Sequence, residues 1–233
     1  MGLPLFPVAN WAPWLPTSIV GLQTWFQANA LSLANDDPVG TWTDSSGNGK
    51  DATQATSDNK PVFKTGVINT LPVVRFDGTN DRLVTASITH GVGTGDMFYA
   101  SVVKTATVGG ATGYKCMQDL GTDSPAFFIN NAKLDYYLAG DKQFATTLTS
   151  TTWYTFIVRR FGGTLEAYIN GTLDATTFSN SANIASAALT LGSEGGGGQY
   201  FNSDMAEILF GKTLSNNDRD SLTTYLRAKY GHY

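Results

Sequence analysis

Apolar and aromatic positions come in short runs from Ile19 onward, and Gly, Asn, Asp and Ser clusters separate the runs. That spacing predicts strands joined by turns rather than helices. The predicted strands are Leu22–Phe26, Val62–Lys64, Val73–Phe76, Arg82–Ala86, Met97–Lys104, Tyr114–Leu120, Ala126–Ile129, Leu134–Leu138, Trp153–Phe161, Thr164–Ile169, Thr172–Phe178, Ala188–Leu191 and Met205–Lys212. So many short strands at this spacing predict a sandwich or jelly roll. The sharpest turn signal is Asn170-Gly171, because both residues tolerate the positive φ that a two-residue hairpin needs. The sequon Asn170-Gly171-Thr172 is read as a chance match inside that turn.

One helix interrupts the pattern, over residues 216–230. Ser215 is its expected N-cap, with Asp218 three residues on. Leu222, Tyr225, Leu226 and Tyr230 form one apolar stripe, Arg227 and Lys229 suit the C-terminal dipole, and Gly231 ends it. Residues 1–18 read differently, as a Pro-rich apolar arm ahead of a single domain over 19–233. Pro4, Pro7, Pro13 and Pro16 forbid a helix or a central strand. Leu5, Phe6, Trp11 and Trp14 are too apolar for a solvated tail. The arm packs on its own domain or on a neighbour, and a neighbouring subunit or other partner protein is the favoured occupant.

The composition narrows the classes. The chain has 233 residues and a formal net charge of -4, from 15 Lys+Arg and 19 Asp+Glu. No basic run exists to neutralise phosphate, so no nucleic-acid partner is expected. No stretch approaches the roughly 20 apolar residues of a membrane span, so no membrane insertion is expected. One cysteine, Cys116, excludes an internal disulfide and reads as a buried filler. Two histidines, His90 and His232, are too few for a zinc site with it. The first residues lack a secretory signal, and Phe6 spoils a myristoylation motif, so the expected place is the cytoplasm or an assembly.

Candidate chemistry is sparse. The loops Thr43–Asp51 and Asp77–Asp81 are dense in oxygen ligands, with Asp44, Asn48, Asp77, Asn80 and Asp81 as candidate binding residues. Ca2+ takes such oxygens and is the candidate cofactor, although neither loop has the calcium-loop spacing; turn chemistry is the plainer reading. The glutamates are Glu166, Glu194 and Glu207 only. A glycosidase needs two convergent carboxylates, and Asp204 and Glu207, three apart on a strand, face opposite ways. His90 sits in a Gly-rich loop with no nucleophile elbow anywhere, and Gly195–Gly198 lacks the lysine of a phosphate cradle. Trp25, Trp42, Trp153, Tyr136, Tyr137, Tyr154 and Tyr200 are the rings that would stack on sugars if exposed; Trp25 and Trp153 read as core, and Tyr200 beside the glycine run is the preferred exposed ring.

An ordered set of phrases carries a family resemblance. It comprises Gly21–Trp25, Val39–Gly49 with its Trp-x-Asp-x-Ser-Gly-Asn-Gly phrase, Pro72–Asp81 with Arg-Phe-Asp-Gly, the Trp153 strand, the Tyr168–Gly171 hairpin, Leu191-Gly192, and Met205–Ile208 before the helix. The chain resembles the concanavalin A-like lectin/glucanase superfamily in its laminin G-like branch. The resemblance implies an all-β, two-sheet antiparallel sandwich, with a short C-terminal α-helix. It implies rim loops that bind glycans or proteins, sometimes with calcium. Copies with this terminal helix resemble parts of phage and bacterial surface proteins. The hydrolase branch's Glu-x-Asp-x-x-Glu strand is missing. The expectation is therefore a non-catalytic bacteriophage virion protein, assembled in the host cytoplasm, decorating the capsid or serving the tail or fibre. Its partners would be virion proteins or identical subunits through the arm, and cell-surface glycans through the domain. A free carbohydrate-binding lectin and a glycoside hydrolase are the alternatives.

Overall fold

The structure, a computed structural model, describes residues 13–88, 93–106, 113–121 and 125–233. The strands in it are β1 Leu22–Gln27, β2 Thr41–Trp42, β3 Ala52–Thr53, β4 Val62–Ile68, β5 Leu71–Arg75, β6 Leu83–Ile88, β7 Met97–Lys104, β8 Lys115–Asp119 and β9 Ala126–Asn130. They continue as β10 Lys133–Tyr137, β11 Asp141–Thr147, β12 Trp153–Phe161, β13 Thr164–Ile169, β14 Thr172–Leu173, β15 Phe178–Ser179, β16 Ala187–Leu191 and β17 Asp204–Gly211, before helix α1 Asn216–Tyr230. One sheet has nine strands, ordered β14-β13-β12-β7-β17-β5-β4, with β1 also on β17 and β15 also on β13. The other has eight, ordered β11-β10-β9-β8-β16-β6-β3-β2. The named strands pair antiparallel throughout, as in a jelly-roll sandwich.

Alternation along β7 explains the layering. Met97, Tyr99 and Val103 point between the sheets, into a core shared with Phe127, Phe156, Phe201 and Trp42. Phe98, Ala100 and Val102 point the other way, under a second cluster formed with Leu222, Leu226 and Tyr230 of α1. Period-2 patterning on β7 meets the 3.6-period stripe of the helix, so the nine-stranded sheet is buried on both faces. The cap is the expected one: Ser215 Oγ accepts from Asp218 N–H at 3.1 Å, and Gly231 takes φ +58. Among the described residues no helix is long and apolar enough to cross a membrane.

Two departures have local causes. The run Thr172–Phe178 breaks into β14 and β15 because the Asp174 carboxylate accepts from the backbone N–H groups of Ala145, Thr146 and Thr176, bending the chain away. Strand β11 lacked an apolar signature because it is an edge, where charged residues guard an open hydrogen-bonding row; only Phe144 of its seven residues is buried.

Candidate functional site

The outer face of the eight-stranded sheet holds a groove of about 720 Å³. Its lining includes Tyr114, Asp119, Phe128, Tyr137, Asp141, Thr190, Glu194 and Gln199, with Ala126, Ala187, Ala188, Gly195 and Gly196. The small residues leave the room: β16 offers alanines where a larger side chain would fill the hollow. On one side the end of β10 presents the Tyr137 ring, 47% exposed. On the other lies the loop after β16, where Gly197 N–H donates to Glu194 O and Phe201 N–H to Gly192 O. Cys116 N–H donates to Gln199 O at 2.8 Å, tying that loop to β8. Beneath, Cys116, Ala126 and Phe128 pack together, and Tyr114 meets Phe128 edge-on at 5.3 Å. Burial pushes the Cys116 thiol far up, so it stays protonated filler.

The groove is electrostatically one-sided. Asp119 accepts from Gly121 N–H at 2.9 Å and Gly195 N–H at 2.7 Å, yet burial outweighs these donors and raises its carboxyl. Burial raises Glu194 too, and the Asp119 charge adds to it. The Tyr114 hydroxyl donates to Asp141 Oδ2 at 2.6 Å, which holds its own proton up to about 12.

None of the residues singled out from the sequence as loop ligands lines this groove. Asp44 Oδ1 accepts from Trp25 N–H and Ser46 N–H, and its Oδ2 from Ser46 Oγ and Lys50 N–H. Asn48 Nδ2 donates to the carbonyls of Leu22 and Gln23. Asp77 Oδ1 faces the N–H groups of Thr79, Asn80 and Asp81, while Asp81 Oδ2 takes Asp77 N–H. Against its burial cost, those donors hold Asp77 below the usual carboxylate range, whereas burial pushes Asp81 up to about 6. These donors make Asp44 and Asp77 turn-fixing groups, the plainer of the two readings of the loops. Among the described residues no group of three or more acids, histidines or cysteines could hold a metal. Tyr200 is half-buried, its hydroxyl and Arg82 both bordering Gly197.

Of the arm, Leu5, Phe6 and Trp11 lie outside the described residues, as does His90. Trp14 packs on its own chain, edge-on to Tyr225 of α1 at 6.2 Å. Two glutamates are structural: Glu166 pairs with Arg159 at 2.9 Å, and Glu207, wholly buried, accepts from Trp25, Lys229 and Tyr230. Asp204 pairs with Arg75. Of the candidate rings, Trp42, Tyr136 and Tyr154 are core, Trp25 is buried under α1, and Tyr137 alone lines the groove. Asp119, Asp141, Tyr114, Phe128 and Gln199 escaped the sequence reading because strand pairing, not sequence spacing, brings them together.

A family model described as the concanavalin A-like lectin/glucanases superfamily, laminin G type, matches residues 77–218, more than half of the chain. No curated protein sequence matches. Among solved structures, Trypanosoma rangeli sialidase in complex with the inhibitor DANA superposes with TM-score 0.62 at 12% identity, over 94% of this chain and 34% of the sialidase. Botulinum neurotoxin type C, which depends upon interaction with two ganglioside molecules to get into cells, gives TM-score 0.62 at 12% identity, over 88% of this chain and 51% of that one. The binding domain of botulinum neurotoxin DC in complex with rat synaptotagmin II gives 0.63 at 11%, over 88% and 52%. This chain thus spans about a third of the sialidase and half of the toxin chains, and at such identities the likeness is one of fold.

Proposed function

Since the chain belongs to the concanavalin A-like lectin/glucanase superfamily, we propose that it is a non-catalytic glycan-binding protein that takes its ligand in the groove of the eight-stranded sheet. The observation that carries this is the exposed Tyr137 ring at the border of a ligand-sized hollow whose polar groups converge from β8, β10, β11, β16 and the loop after β16. A sugar stacks its C–H face on such a ring and spends its hydroxyls on flanking acceptors. The nearest thing to a hydrolytic pair is Asp119 with Glu194. Asp119, however, is occupied as a pin between two backbone N–H groups, which supports a binding role rather than attack on an acetal. The test is a glycan array with the parent and Tyr137→Ala. Selective binding, lost at least tenfold in the variant, is the expected result; a silent array, or release of reducing ends from a bound polysaccharide, refutes it.

We further propose a bacteriophage virion as the setting, with the protein as a decoration or a tail or fibre component. Support comes from the resemblance of the helix-bearing copies and from the apolar Pro-rich character of the sequence ahead of Trp14. Antibody labelling of purified particles checks it, and unlabelled particles argue for a free lectin.

A further inference from the structure

The groove is short of donors and of positive charge. Asp119, Asp141 and Glu194 line it, and among the described residues no Lys, Arg or His does. The Glu194 carboxylate has no hydrogen-bond partner among the described residues, and Gln199 Oε1 is buried without one. A fourth acid lies on the same face. Asp135 pairs across strands with Phe128, so both side chains leave the sheet on the groove side. It is 1% exposed; Asn130 Nδ2 donates to Oδ2 at 3.1 Å, and the Lys142 N–H and the Gln143 side chain also face its carboxylate. Burial raises Asp135, Asp119 and Glu194 alike, and the neighbouring charge of Asp141 adds to the first. The Arg82 guanidinium approaches Gly197 on the same loop but does not line the groove.

We propose that this groove selects sugars carrying a free amine, the glucosamine-oligomer class, over N-acetylated or sialylated ones. The inference rests on the glycan reading above and deepens it by naming the ligand chemistry. A hexosamine ring stacked on Tyr137 brings an ammonium to its edge, with N–H donors for Glu194 and Asp141. In a partly desolvated groove that charge is attracted by several carboxylates at once, and the electron-rich Tyr137 face adds to it. Acetylation removes the charge. A sialyl carboxylate brings a like charge among acids that burial already disfavours in ionised form.

Calorimetric titration of the whole protein at pH 7 and low salt tests this with four probes. They are a β-1,4-glucosamine tetramer, its fully N-acetylated counterpart, sialyllactose and a lysine tetrapeptide. The glucosamine tetramer is expected to bind at least tenfold tighter than the acetylated one and than the peptide, with no heat from sialyllactose. Glu194→Gln should shrink the tenfold ratio to threefold or less, with an unchanged melting temperature as the control for folding. Equal or tighter binding of the acetylated tetramer or of sialyllactose overturns the amine preference and leaves the glycan reading standing. Equal binding of the peptide also overturns it, since that is charge without a sugar. No binding by any sugar overturns both readings.

Discussion

The contact that ties the helix to the nine-stranded sheet makes the sharpest stability prediction. Glu207 on β17 is 0% exposed. Its Oε1 accepts from Trp25 Nε1 at 2.6 Å, and its Oε2 from Lys229 Nζ and the Tyr230 hydroxyl, both at 2.7 Å. The Lys229 side chain is 14% exposed and also donates to Gln27 and to the Tyr225 hydroxyl. Breaking a buried pair from one side strands the other charge, at about 3–5 kcal/mol. The two sides are unequal here. Lys229→Met leaves a carboxylate with no route to water and should cost about 3–4 kcal/mol. Glu207→Gln keeps the shape and an acceptor for Trp25, and leaves an ammonium that can tilt outward with two other acceptors. It should cost about 1–2 kcal/mol, in the range of a charge-assisted hydrogen bond. The double variant should recover about 1–2 kcal/mol of the summed loss. Guanidinium unfolding of the four proteins, followed by tryptophan fluorescence, measures all three numbers. A Lys229→Met loss no larger than that of Glu207→Gln, or a coupling below about 0.5 kcal/mol, refutes the reasoning.

Three further outcomes are expected. Burial pushes the His232 imidazole down from 6.5 to about 4, with Thr155 Oγ1 3.2 Å from Nε2. The folded state holds the neutral ring, so its stabilisation is complete above about 6.5 and is lost as pH falls through 4. Thermal unfolding at pH 7 and pH 4 should therefore show a smaller acid loss for His232→Gln than for the parent; equal losses count against it. Ser215→Ala removes the N-cap acceptor and should lower stability by about 1 kcal/mol in urea unfolding. Gly192→Ala should cost about 3 kcal/mol by melting temperature, because φ is +86 and a Cβ there would lie 2.3 Å from the Phe76 ring.

The sequence-level pattern reached most of the fold because strands here are bounded by strong turn formers. Met97–Lys104, Trp153–Phe161 and Thr164–Ile169 run as the alternation predicts, and α1 spans 216–230 between its two caps. What escaped was set by tertiary contacts. Strand β11 is written in polar residues, and only pairing with β10 makes it a strand. The groove was hidden for a related reason. Tyr137 was visible as one ring among seven, but its distinction is exposure, which a half-apolar strand does not announce. Asp119 and Glu194 are far apart in sequence and meet because β16 lies beside β8 and turns back through a glycine loop. The oxygen-rich loops drew attention for residue types that fix their own turns: Asp44 and Asp77 bind backbone, which is what short acids do where a chain reverses.

Trp14 rests on Tyr225, and Tyr233 lies beside Gly171 and hydrogen-bonds to Thr223 O, so Trp14 and the last residue both sit on the roofed side of the sandwich. The hollow opens on the opposite side. A scaffold gripping that side would hold the molecule by its back and turn the receptive surface toward whatever approaches. Many copies fixed to one support would all look outward, and weak individual grips would add up to firm adhesion.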